Sequence, residues 1–163
     1  MAVRSGVAAV MTVLLGLAGA ATAAELTGIA QVVDARTIQI GALTVRLAGI
    51  DAPEPGQRCE RRGASYDCGQ EAGWALAERL GRHWVLCVEQ GRDTGGALRA
   101  TCYLGGQHGI DVNAHMVRQG WAVAEPDSGQ DYSDAEAAAR RERLGLWAGA
   151  FVHPAQFRAQ RAR

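Results

Sequence analysis

The stretch from Leu26 to Ile50 limits the fold more than any other part of the chain. "LTGIAQVVD", "RTIQIG" and "LTVRLAGI" alternate apolar with polar positions, are rich in β-branched residues and are separated by turn-prone residues. A period of two sends one face of each run inward and the other to solvent, so the spacing predicts three sequential antiparallel strands.

The polar turn "DAPEPGQR" ends them. "GQEAGWALAERLGR" then places Ala72, Ala75, Leu76 and Leu80 at helical spacing, with Gly81 as the stop. "WVLCVE" and "ALRATCYL" read as a hairpin across "GRDTGG". In "IDVNAHMVRQG", Ile110, Ala114 and Val117 share one helical face that ends at Gly120, and Ser133 is the expected N-cap of "SDAEAAARRERLG", with Glu136 completing a capping box. Three strands, a helix, two strands and further helices is the order of a five-stranded Greek-key barrel of the OB type with helices packed around it, an α+β fold. Trp74, Trp84, Trp121 and Trp147 sit in apolar contexts and are assigned to the core. His83, His108, His115 and His153 lack ligand spacing and are assigned structural or surface roles. The arginine-rich tail, residues 151–163, is expected to be a solvated end.

Residues 1–24 have the layout of a secretory signal peptide: Arg4, an apolar run, then small residues before Glu25. The run is shorter than the roughly 20 residues a membrane span needs. Cleavage after Ala23 or Ala24 would leave one domain, residues 25–150, and the tail, as a periplasmic or secreted monomer free of the membrane. Cys59, Cys68, Cys87 and Cys102 contain no C-x-x-C pair and, in an exported chain, read as two disulfides. Three connectivities exist. The short loop "CERRGASYDC" and the expected hairpin favour 59–68 and 87–102. The basic residues are all arginine, 17 against 17 acids in the whole chain. Loss of Arg4 leaves a charge of about −1, which argues against bulk attraction to nucleic acid and leaves only a local basic site.

The candidate site lies in "VVDARTIQIGALTVRLAGIDAPE", where Asp34, Asp51 and Glu54 gather with Arg36 and Arg46. With "MVRQGWA" and "LGLW" following in the same order, these strings resemble the staphylococcal nuclease (thermonuclease) family over roughly residues 26–150. The resemblance implies an OB-fold barrel with three helices and, in active members, calcium-dependent hydrolysis of DNA and RNA. It makes Arg46 the first phosphate-binding arginine, Asp51 a calcium ligand and Glu54 the residue that assists the attacking water. A second calcium-ligand aspartate falls on Arg36, because the usual D-G-D-T reads D-A-R-T here. The second catalytic arginine falls on Ala97, and a threonine falls on Ala52, where the family's metal contact is through the backbone carbonyl. The family's nucleotide-stacking tyrosine has no match in "EPDSG", after "GWAVA".

Phosphodiester hydrolysis needs a hard cation held by carboxylates and donors for the charge that builds on phosphate. An arginine at about 4 Å from a divalent ion, at an effective dielectric of about 20, opposes it by up to on the order of 8 kcal/mol. Arg36 is therefore expected to pair with Asp51 in place of calcium. Asp34 is expected to be a turn residue, and Arg46 has a structural alternative as a partner of Asp51 or Glu54. Arg99, two residues beyond Ala97 on the same strand face, is a possible substitute donor. Three functions remain open at this point. One is an impaired family member that keeps a phosphate- or anion-binding cleft around Arg36 and Arg46. The second is a working nuclease with a rearranged calcium site, and the third an envelope accessory domain that binds a protein or an anionic polysaccharide.

Overall fold

The computed structural model describes residues 23–125 and 131–162. The signal-peptide expectation and most of the "EPDSG" segment lie outside them. The three expected strands are β1 (Glu25–Asp34), β2 (Thr37–Ile40) and β3 (Leu43–Leu47), paired antiparallel in sequence. After the two-residue strand β4 (Ile50–Asp51), a hairpin β5 (Arg58–Arg61) and β6 (Ala64–Asp67) leads into helix α1 (Cys68–Leu80). The long hairpin follows as β7 (Trp84–Arg92) and β8 (Leu98–Leu104). β1 pairs with β7, and β8 returns to pair in parallel with β3, which closes a five-stranded barrel.

Alternation decides which faces are inside. Gly28 and Ala30 of β1 are buried while Thr27, Ile29 and Gln31 are exposed. The interior is filled by Ile38, Val45, Leu47, Ile50 and Val85 with Leu76 and Leu80 of α1. α1 starts at Asp67, whose carboxylate accepts from Gln70 N, and ends at Gly81, which has a positive φ of 53°.

The remaining elements are β9 (Ile110–Asp111), α2 (Val112–Arg118), β10 (Val123–Ala124), α3 (Ser133–Glu142), a 3-10 turn (Gly145–Ala148), β11 (Gly149–Ala150) and α4 (Pro154–Arg161). Four α-helices are therefore present among the described residues where three were expected. In α2 the buried face is Val112, Asn113, Met116 and Val117. Ile110 is instead an exposed strand residue, because Asp111 caps the helix one residue later by accepting from Ala114 N. The expected capping box on α3 does not form: Tyr132 occupies the N-cap, and the Glu136 carboxylate accepts from Ala124 N and from Arg140.

Two tryptophans depart from the core assignment. Trp74 and Trp84 are 63% and 67% exposed. Trp121 packs half-buried against the main core, and Trp147 packs edge-on to Phe151 at 4.9 Å with Arg140 stacked over it at 4.2 Å. Gly120 has a φ of 73°, and a Cβ there would lie 2.2 Å from the Leu144 carbonyl oxygen. That close approach seats the "LGLW" turn against the end of α2.

Both expected disulfides are present. Cys87–Cys102 bridges directly paired residues of β7 and β8 inside the barrel, and Cys59–Cys68 ties β5 to the start of α1. The second bridge forms a satellite core with Leu146, Tyr66 and Phe151, over which β11 pairs with β5.

Asn113, on α2, bridges the barrel seam between β3 and β8. Its Nδ2 donates to Ala48 O at 2.8 Å and Ala100 O at 3.1 Å, and its Oδ1 accepts from Cys102 N at 3.2 Å. Removing these contacts leaves buried backbone groups short of partners. We predict that Asn113→Ala lowers stability by about 2–4 kcal/mol in urea unfolding. A loss below about 1 kcal/mol would show that the seam closes without this side chain.

Candidate functional site: a carboxylate pair held by two arginines

The turn after β4 presents Asp51 and Glu54 at one end of the barrel. Asp51 Oδ1 accepts from Ala52 N at 3.0 Å, and Gln57 N donates to Glu54 O at 2.9 Å. Gln57, fully buried, accepts from Glu54 N at 3.1 Å through Oε1 and donates to Val152 O at 2.7 Å through Nε2. The same amide thus fixes the turn and anchors the chain leading into α4.

Asp34 is the turn residue it was expected to be: its carboxylate accepts from Arg36 N at 2.9 Å. That turn aims Arg36 at the carboxylates, with Nη1 3.0 Å from Asp51 Oδ1 and Nη2 2.9 Å from Glu54 Oε1. The expected pairing of Arg36 with Asp51 is therefore made.

A second guanidinium reaches the same pair from the far end of the chain. Arg158 Nη1 lies 2.8 Å from both Asp51 Oδ1 and Glu54 Oε1, and Nη2 lies 2.9 Å from Asp51 Oδ2. The hydrogen bonds to Asp51 raise the Arg158 pKa above its usual value against the opposing effect of burial. This overturns the solvated-tail expectation for residues 151–163: Pro154, buried at the first turn, starts α4, and Arg158 one turn later is in the site. A sequence signal existed in Pro154, a residue suited to the first position of a helix. The partner of Arg158 lies 107 residues away, and no local pattern reports it.

Arg46 does not pair with Asp51 or Glu54. Its Nη1 lies 3.2 Å from Asp93 Oδ2, at the tip of the β7–β8 hairpin, and its buried Nε has no hydrogen-bond partner among the described residues. Ala97, at the same tip, offers only its backbone, donating through N to Asp93 Oδ1. Arg99 is paired with Arg46 in the parallel β3–β8 register and reaches Glu125 at 3.4 Å. Arg36, Arg46 and Arg99 line one small cleft of about 90 Å³, with Asp93 and Glu125 among its walls. Asp93, Gln57, Glu125 and Arg158 were all missed from the sequence.

The residues present do not fit calcium. Such an ion takes six to eight oxygen ligands, with anionic carboxylates supplying the charge. Here the charges of Asp51 and Glu54 are already balanced by those of Arg36 and Arg158, and both Asp51 oxygens are engaged. Among the described residues, no group of three or more His, Cys, Asp or Glu side chains is placed to hold a metal ion.

The family model for staphylococcal nuclease homologues matches residues 44–149, about two thirds of the chain. The chain belongs to that family. Two relatives are each 35% identical to it: the succinoglycan biosynthesis protein ExoI of Rhizobium meliloti (strain 1021), over 144 residues, and a micrococcal nuclease of Shigella flexneri, over 134. The first alignment covers 86% of this chain and 74% of the relative, the second 73% and 71%.

Asp51 is buried, so removing one guanidinium leaves part of its charge without a partner, which is costly in a poorly solvated site. Arg158 is partly exposed, and water offsets some of that cost. We predict that Arg158→Gln destabilises the protein by about 1–3 kcal/mol and speeds hydrogen exchange of the α4 amides at least about tenfold. Unchanged α4 protection would mean that Arg158 does not hold the helix.

Proposed function

We propose that this protein is an exported member of the nuclease family whose calcium-dependent hydrolysis is impaired, and that it keeps a local anion-binding cleft for a nucleic acid or another phosphate-bearing ligand. The observation that carries this reading is the double occupation of Asp51 and Glu54 by Arg36 and Arg158. A cation entering there must displace two guanidiniums from five short contacts. The second arginine expected on a transition-state phosphate is absent at Ala97, and loss of such a donor is typically worth about 10²–10³ in rate. The two disulfides support the oxidising compartment that the leader-like sequence suggests, periplasmic or outside the cell.

In the cleft, Arg46 has the strongest claim to the anion, because its side chain is 38% exposed there and it lies beside a second arginine. Arg99 lies beside it on the next strand and Arg36 at the edge. Arg46→Ala is expected to weaken binding of a nucleoside bisphosphate at least about tenfold, and unchanged affinity returns Arg46 to a purely structural role.

A second reading, an accessory domain that binds a protein or an anionic polysaccharide, draws on the relative named for succinoglycan biosynthesis. It agrees equally well with an impaired carboxylate pair.

The test is cleavage of single-stranded DNA and RNA with calcium and with chelator, run beside thermal melting. The wild type is expected to show no calcium-stimulated cleavage and no rise of its melting midpoint with calcium, since only a ligand bound by the native state raises it. Arg36→Asp alone is expected to gain little, because Arg158 still covers the carboxylates. Arg36→Asp with Arg158→Gln should produce a calcium-dependent rise in the midpoint, and adding Ala97→Arg should then raise turnover, with Glu54 required throughout. Robust calcium-dependent cleavage by the wild type, abolished by Glu54→Gln, would overturn the proposal and favour an active enzyme with Arg99 as donor.

A further inference from the structure

A groove of about 930 Å³ lies where the C-terminal end of α1 meets α2 and the β8–β9 corner, and its lining includes neither Asp51 nor Glu54. It shares no residue with the arginine cleft. Arg99 and Leu104 mark the two ends of β8, and five residues of strand separate them by about 17 Å. The size is in the upper part of the range typical of small-ligand sites, about 300–1,000 Å³.

Its lining is unusual in two respects. Trp84, 67% exposed, and Trp121 offer flat aromatic surface, and exposure of a large indole costs the free protein the burial it would otherwise gain. Arg79 contributes a half-buried guanidinium with no ion-pair partner among the described residues, so its charge is left to solvent or to a ligand anion. Glu78, His115 and Gln119 add further polar groups to the same wall. Burial, and after it the neighbouring Arg79 charge, push the His115 pKa down, so its imidazole is neutral at pH 7 and offers one donor and one acceptor.

The chemistry narrows the occupant. A single-stranded nucleic acid would need cations along its backbone as well as aromatic platforms, but the lining has one arginine with Glu78 beside it. A purely apolar ligand would cover the Arg79 charge without supplying a counter-ion. A pyranose combines an apolar C–H face with a rim of hydroxyls, and a carboxylate on the ring supplies one negative charge. We propose that this groove binds a carboxylated saccharide, with a sugar face against Trp84, the carboxylate on Arg79, and hydroxyls on Glu78, Gln119 and His115. This goes beyond the phosphate cleft and does not depend on the state of Asp51 and Glu54.

The test is a tryptophan-fluorescence titration of the protein with tetragalacturonic acid, with its fully methyl-esterified form and with a thymidine tetranucleotide. The acid is expected to bind and to change the emission, and the ester to bind at least about tenfold more weakly. Arg79→Gln should weaken acid binding by a similar factor, the size expected for one charge-assisted hydrogen bond. Trp84→Phe should remove most of the signal, whereas Trp74→Phe, equally exposed but outside the groove, should keep it. A nucleoside bisphosphate should not compete, which separates this site from the arginine cleft. Equal binding of acid and ester, an unchanged Arg79→Gln, a signal that follows Trp74, or displacement of the acid by the tetranucleotide would each overturn the proposal. So would the absence of binding by the acid.

Discussion

The arrangement at the end of the barrel depends on one electrostatic fact: Asp51 and Glu54 are too enclosed to stand as two unneutralised carboxylates. Asp51 is almost wholly buried, and an isolated charge in such a place is costly. A divalent cation is one way to offset two negative charges, and two guanidiniums are another. Arg36 alone would leave an excess of one. The second positive charge arrives with Arg158, and the fork of its guanidinium spans both Asp51 oxygens in a way a lysine could not. Chemistry and architecture are coupled here, because the group that completes the neutralisation belongs to the C-terminal helix.

The barrel itself was legible because its signals are local. Period-two runs from Leu26 to Leu47 and the two cysteine-bearing strands define their own inward faces, and the directly paired Cys87 and Cys102 follow from the hairpin that those strands form. What failed did so for physical reasons. Ile110 sits at helical spacing but before the Asp111 cap, so backbone capping overrode the apolar pattern. Glu136 has the capping-box spacing yet is drawn to Ala124 N and Arg140 by tertiary contacts. Trp84 was assigned to the core by its apolar sequence context, but β7 alternation turns it outward opposite Ile29, which is also exposed.

The site was half legible, and the division is again one of distance along the chain. Arg36, Asp51 and Glu54 lie within 18 residues, and the replacement of an aspartate by Arg36 already argued for a pairing. The partners of Arg46 and Arg99, and the whole role of Arg158, come from a hairpin tip, the residue after β10 and a helix that only the closed fold brings near. Asp93 illustrates the point. It builds the β7–β8 tip by accepting from Gly95 N and Ala97 N through one oxygen, and the other oxygen then holds Arg46.

The path by which Arg158 is positioned explains why the satellite sheet belongs to the site rather than decorating it. Cys59–Cys68 fixes β5 beside the start of α1, and β5 is the strand on which β11 pairs. β11 leads to Val152, whose carbonyl is caught by the buried Gln57, and Pro154 starts α4 two residues later. Each step removes freedom from a segment that would otherwise pay ordering entropy to reach Asp51. Gln57 is the common member, since it also fixes the backbone of Glu54. A loosened satellite sheet would therefore act on the carboxylates without touching them, by releasing the one guanidinium that the barrel does not itself supply.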